Sequence, residues 1–128
     1  EIAKGRNPEA LKLALADCGQ RIVELDDPAL RIEMLGKAAE IYTQIGEPRA
    51  ALPLFKDRAD ESRRLHGEAS AEAVASELGY LMIYIDHGDR SNTPPLVTNL
   101  RSRLEAAGQR GTKAWFDVQR LLVRSWLK

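Results

Sequence analysis

Apolar residues recur along most of the chain at steps of three and four positions, which places them on one face of an α-helix. Ala71, Val74, Leu78 and Leu81 follow this spacing. The apolar run over 81–85 is also compatible with a buried strand, but the helical spacing that leads into it favours a helix. No segment of useful length alternates between apolar and polar residues with a period of two. The pattern therefore predicts an all-α protein.

Glycine and capping residues mark where these helices end and start. Gly46, Gly67 and Gly88 follow one another at intervals of 21 residues, and Gly108 comes 20 residues later. Each closes a helical stretch, where glycine adopts the left-handed backbone conformation at low cost. The predicted capping residues at helix starts are Asn7, Asp27 and Thr93, each followed by proline, and Ser70 and Thr112. The predicted helices span 8–25, 28–46, 48–65, 70–87, 94–107 and 112–127.

The helices repeat in pairs. A shift of 42 residues superimposes three separated blocks: Ile41-Tyr42 on Ile83-Tyr84, Gly46-Glu47 on Gly88-Asp89, and Pro53-Leu54-Phe55 on Pro95-Leu96-Val97. The repeating unit is a helical hairpin, because short loops join neighbouring helices in antiparallel fashion. We interpret residues 1–128 as one helical-repeat domain. Its parts are the second helix of an earlier unit (8–25), unit one (28–67), unit two (70–107) and a terminal or next-unit helix (112–127).

The spacing within unit one resembles that of the tetratricopeptide repeat family. The residues that carry the resemblance are Leu35, Ala39, Tyr42, Gly46, Ala51 and Phe55. The 42-residue period is closer to the kinesin-light-chain type of repeat than to the 34-residue form. Unit two departs from the pattern at Glu77, Leu81 and Thr93. The resemblance implies a right-handed α-solenoid of antiparallel hairpins, about six helices in all, in which neighbouring hairpins complete the core.

The resemblance also implies a concave groove, lined mainly by the first helix of each hairpin, in which a peptide or protein segment binds. The positions carried over from the family are Glu33, Lys37, Glu40 and Gln44 in unit one, and Leu78, Met82, Ile85 and Asp86 in unit two. The first set suits polar contacts and the second suits an apolar anchor. The alternative for each position is a solvent-facing or core role.

The charge is balanced overall but not along the chain. The 19 Lys and Arg residues equal the 19 Asp and Glu residues, yet residues 1–89 have a balance of −6 and residues 90–128 one of +6. The basic end predicts attraction of an acidic partner through Arg101, Arg103, Arg110, Lys113, Arg120 and Arg124. The alternative is that these residues solvate the last pair of helices or complement the acidic repeat. Nucleic acid is not the expected ligand, because the region has no recognised DNA-binding motif.

The C-terminal helix has a wide apolar sector. Trp115, Val118, Leu122 and Trp126 share one side of it, and Phe116, Val123 and Leu127 widen that side. Such a sector needs a neighbouring hairpin and further cover, so self-association through this helix is one expectation.

Catalytic, cofactor and membrane functions are not indicated. Cys18 stands alone, and His66 and His87 each precede a helix-ending glycine, where an imidazole can interact with the terminal carbonyl groups. The sequence has no phosphate-binding loop, no metal-ligand spacing and no apolar run of about 18 residues. We therefore expect no enzyme, no cofactor, no metal and no membrane span. The single cysteine favours a reducing, cytoplasmic location.

The expected function is a non-catalytic scaffold that binds a protein or peptide. The chain begins at Glu1 and not at methionine, which favours a piece of a longer protein. The alternative function is a sensor or oligomerisation module of a transcription regulator or signalling kinase.

Overall fold

Six α-helices joined by short loops make up the computed structural model, which describes residues 8–88 and 90–127. They are α1 (Pro8–Ile22), α2 (Pro28–Gln44), α3 (Pro48–His66), α4 (Ala71–His87), α5 (Thr93–Ala106) and α6 (Lys113–Leu127). A 3-10 turn, Arg90–Asn92, leads into α5. The described residues contain no β-strand, so the all-α prediction is confirmed, including the helix over the apolar run 81–85.

Side-chain caps start three of the helices as predicted. Asp27, Ser70 and Thr112 each accept a hydrogen bond from a backbone amide two or three residues further on, at 3.0 to 3.2 Å. These bonds satisfy amides that have no partner within the helix. The predicted cap at Thr93 is wrong, because Thr93 is the first residue inside α5 and is buried. The predicted cap at Asn7 lies outside the described residues.

Glycine ends the helices in more than one way. Gly46 (φ 82°) follows α2 and Gly108 (φ 76°) follows α5, and at both the backbone forms the paired amide–carbonyl bonds of a Schellman motif. Gly67, after α3, also has a positive φ of 98°. The left-handed prediction is wrong at Gly88, whose φ is −97°. Glycine is required there for its size, because a Cβ would lie 2.6 Å from the ring of Tyr84.

Each helix packs against the next one in the sequence, and α4 also contacts α6. Most of the buried apolar residues fall into three clusters. They are centred on Leu81, Leu100 and Val118 between α4, α5 and α6; on Ile22 and Leu35 between α1 and α2; and on Ala39, Ala51 and Phe55 between α2 and α3. The largest cluster holds α4 beside α6, and this pairing builds the candidate site described below.

Polar side chains also join neighbouring helices. The hydroxyl groups of Ser62 in α3 and Ser76 in α4 are buried and lie 3.1 Å apart. Their small size lets the two helices approach while each hydroxyl keeps a partner. Glu77, where unit two departs from the family pattern, forms an ion pair with Arg103 of α5. The acidic residue at that position therefore links α4 to α5.

Candidate functional site

A groove of about 370 Å³ lies between α4 and α6. The residues that line it are Leu78, Met82, Lys113, Asp117, Arg120, Leu121 and Arg124. Along each helix most of these residues are separated by three or four positions, so each helix contributes one continuous stripe. The groove is thus bounded by a short apolar stripe on α4 and a mainly charged stripe on α6.

The apolar part of the groove combines buried and exposed surface. Leu121 is 6% exposed and belongs to the core, and Leu78 packs against the same core cluster. Met82 is 50% exposed. An unbranched methionine adapts to apolar groups of different shapes. Met82 therefore offers a ligand apolar surface that the fold leaves uncovered.

The charged part of the groove is partly neutralised within the protein. Asp117 accepts hydrogen bonds from Lys113, at 3.1 Å, and from Arg120. The hydrogen bond from Lys113 is the main reason why the pKa of Asp117 lies below its usual value, so this carboxylate is ionised at neutral pH. One terminal nitrogen of Arg124 donates to both carboxylate oxygens of Asp86, at 3.0 and 2.9 Å. Positive charge remains in excess around Asp117.

Two separately predicted groups of residues meet in this groove. The peptide-binding set contributes Leu78 and Met82, and the basic set contributes Lys113, Arg120 and Arg124. Two further lining residues, Leu121 and Asp117, were not predicted as site residues. The spacing of four between Lys113 and Asp117 was the available signal for the acidic one, since oppositely charged residues at this spacing pair on a helix.

Other predicted contacts lie elsewhere. The prediction that Ile85 binds a ligand is wrong, because this residue is 2% exposed and packs in the core between α4, α5 and α6. Three of the six basic residues do not line the groove. Arg101 donates to Gln119 at 3.2 Å, Arg103 pairs with Glu77, and Arg110 lies over the ring of Trp115 at 5.9 Å from its centroid.

The residues predicted in unit one form a separate surface. Glu33, Lys37, Glu40 and Gln44 are exposed on α2, and the Lys37 and Glu33 side chains lie 4.0 Å apart. None of them lines the groove between α4 and α6. The predicted site is therefore divided into a polar strip on α2 and a mixed apolar and basic groove.

The buried side of α6 differs from the prediction. Val118, Leu121 and Ser125 are buried, whereas Trp126 is 72% exposed. The line 118–121–125 packs toward α4 and α5, which turns the indole of Trp126 to solvent. The other exposed apolar residues of this helix are Phe116, Val123 and Leu127, at 56%, 60% and 81% exposure.

Comparisons with models of protein families, with curated proteins and with solved structures found no match to this chain. Within residues 8–88 and 90–127, no group of three or more His, Cys, Asp and Glu side chains is placed to hold a metal ion. In the same residues, no helix has the length and apolar character needed to cross a membrane. Function is therefore inferred from the geometry of the groove.

Proposed function

We propose that the protein is a non-catalytic scaffold that binds a peptide or protein segment in the groove between α4 and α6. The observation that carries this proposal is the placement of half-exposed Met82 beside the cations Lys113 and Arg120 in one groove. A complementary ligand places an apolar side chain against Met82 and an acidic side chain against the two cations.

The charges in the groove favour an acidic ligand. Lys113 and Arg120 share one carboxylate, that of Asp117, so the three groups together carry a net positive charge. The side chains of Lys113 and Arg120 are 91% and 80% exposed. Exposed ion pairs of this kind are weak and exchange partners readily. A ligand carboxylate therefore provides these cations with a second acceptor.

We further propose that the helices form a right-handed, tetratricopeptide-like α-solenoid. The 42-residue repeat in the sequence supports this arrangement, as does the packing of each helix on the next, with α4 also on α6. In such a stack, α2, α4 and α6 are the first helices of successive units and share the concave side. An experimental structure in which these three helices do not share one side would refute it.

The exposed apolar residues of α6 favour a second candidate function, that of an oligomerisation module in a transcription regulator or signalling kinase. Trp126 and Leu127 are among the most exposed large apolar residues of the described chain. Sedimentation velocity over a wide concentration range tests this function. Association that Trp126→Glu abolishes supports it, and a monomer at every concentration removes it.

Selection of peptides from a displayed random library, with the purified protein as bait, tests the main proposal. We expect enrichment of peptides that combine acidic and apolar residues. Met82→Glu and Arg120→Glu should each weaken binding of an enriched peptide by about tenfold or more. Failure to enrich any peptide, or full binding by both variants, would contradict the proposal.

The matched control is Arg21→Glu. Arg21 of α1 is also an exposed arginine paired with an aspartate on its own helix, Asp17, at 3.0 Å. It does not line the groove, so its replacement makes the same change in net charge at a different place. A loss of binding equal to that of Arg120→Glu would show that total charge, and not the groove, attracts the peptide.

A further inference from the structure

Arg58 of α3 extends beside two glycines, one in α2 and one in α4. A Cβ at Gly36 would lie 3.1 Å from Nη1 and 3.2 Å from Cδ of Arg58, and a Cβ at Gly79 would lie 2.8 Å from Nη2. Neither glycine has the positive φ that would itself require glycine. Both positions are inside helices, where glycine is unfavourable. The two glycines therefore provide the space that the guanidinium occupies.

One face of the guanidinium packs against an aromatic ring. Its central carbon lies 5.1 Å from the centroid of the Phe55 ring. Phe55 is 7% exposed and belongs to the core between α2 and α3, so the ring is a fixed surface. An arginine over an aromatic face is attracted to it and has its plane restrained. The group is thereby ordered before any ligand arrives.

Arg58 has no hydrogen bond or ion pair with any residue that the structure describes, and its Nε is enclosed without a partner. Each of the other partly buried arginines forms a hydrogen bond or an ion pair. Arg31 pairs with Glu61, Arg63 with Asp60, Arg101 with Gln119, Arg103 with Glu77 and Arg124 with Asp86. Burial lowers the pKa of Arg58, an effect that the charge of Glu40 opposes. Partial burial of a charge that has no hydrogen bond or ion pair is unfavourable, so the retention of this arginine needs an explanation.

We propose that Arg58 is the receptor for a single carboxylate group of a peptide ligand that crosses the face between α2 and α4. Its side chain is only partly buried, and Nε is the one guanidinium nitrogen that is enclosed, so Nη1 and Nη2 are open to a ligand. A guanidinium binds a carboxylate through two parallel hydrogen bonds. One cation close to the acidic Glu40 suits a singly charged carboxylate better than a phosphate dianion, which needs more positive charge around it. The proposal rests on the proposed function only in taking the ligand to be a peptide.

The test is NMR of the ¹⁵N-labelled protein, following the arginine Nε–Hε signal that is absent from the spectrum of Arg58→Lys. Two probes represent the two sources of a peptide carboxylate: N-acetylglycine for a chain terminus and N-acetyl-aspartate amide for a side chain. Sodium chloride and sodium phosphate at matched ionic strength are the comparisons. We expect a saturable shift with at least one carboxylate probe, and the tighter of the two identifies the source.

Gly79→Ala is the second variant, because its Cβ displaces the guanidinium without removing the charge. This variant should bind the carboxylate probe about tenfold or more weakly, which is the factor typical of a lost charge-assisted hydrogen bond. The matched control is Gly19→Ala in α1, where a Cβ would meet no atom within 4 Å, and this variant should bind normally. Far-UV circular dichroism of all variants checks that the helices are retained.

The proposal is overturned if neither carboxylate gives a saturable shift, if phosphate binds more tightly than both, or if Gly79→Ala binds normally. Arg120→Glu should leave the probe's affinity unchanged, because Arg120 is on α6, which is not among the helices that pack against α3. The proposal of a carboxylate site at Arg58 and the proposal of a binding groove between α4 and α6 can therefore be refuted independently of each other.

Discussion

Replacing Gly79 by alanine should change the stability of the protein in a way that depends on residue 58. Gly79 lies in the middle of α4, where alanine is normally the better residue. Here, however, the new Cβ would lie 2.8 Å from Nη2 of Arg58. The contacted atom is at the far end of a flexible side chain, so the guanidinium moves and the helix stays in place.

The size of the effect follows from two opposing contributions. In an open helix position the substitution stabilises the folded state by about 1 kcal/mol. Moving the guanidinium away from the Phe55 ring removes a cation–π contact of about 0.5–1 kcal/mol. Gly79→Ala should therefore raise the free energy of unfolding of the wild-type protein by only about 0–0.5 kcal/mol.

In the Arg58→Met background the same substitution should give the full gain of about 1 kcal/mol. The methionine side chain ends two bonds short of the position of Nη2 and leaves the space beside Gly79 open. Urea denaturation of the four proteins, followed by far-UV circular dichroism, measures the coupling free energy, which we expect to be about 0.5–1 kcal/mol. Gly19→Ala, measured in both backgrounds, is the control and should show no coupling beyond about 0.5 kcal/mol.

A coupling free energy near zero, with Gly79→Ala stabilising both backgrounds equally, would refute the reasoning. It would mean that the guanidinium does not depend on the absence of a side chain at position 79. Gly36→Ala offers an independent check, because its Cβ would lie 3.1 Å from Nη1 of the same guanidinium.

Three further predictions concern charge and helix ends. Asp117→Asn should strengthen binding of an acidic peptide by about fourfold at low salt, since the repulsion between two unit charges ~5 Å apart in water is about 0.8 kcal/mol. Isothermal titration calorimetry measures the affinity, and an unchanged value would place the ligand elsewhere. The hydrogen bond from Arg31 lowers the pKa of Glu61. The Arg31–Glu61 pair therefore stabilises the folded state above the ordinary carboxylate pKa, and this stabilisation is lost as the pH falls through the lowered pKa. Arg31→Ala should make the free energy of unfolding, measured by denaturation at a series of pH values, depend less on pH in this acidic range. Gly88→Ala should destabilise the protein by about 1–3 kcal/mol, because the Cβ would overlap the Tyr84 ring, and an unchanged melting temperature would show that the ring moves aside freely.

The ends of the helices could be predicted from the sequence because their causes are local. A cap such as Ser70 acts on an amide three residues away, and the turn at Gly46 is closed by bonds within six residues. Five of the predicted helices therefore agree with the observed ones within two residues at each end, whereas α1 ends at Ile22, three residues before the predicted end at 25. Gly88 shows the limit, since its role depends on where the ring of Tyr84 points, which is a matter of packing.

The sites depended on contacts between residues far apart in the sequence. Helical periodicity placed both Trp126 and Val118 on an apolar sector of α6, but only packing against α4 and α5 decided that Val118 is buried and Trp126 exposed. Met82 was selected by its position in the repeat and Arg120 by its charge, whereas their meeting in one groove required the pairing of α4 with α6. Arg58 gave no signal at all, because an arginine at that position is indistinguishable in the sequence from a solvated one. Its significance arises from two glycines on other helices and from the absence of a partner, and only the tertiary structure brings those together.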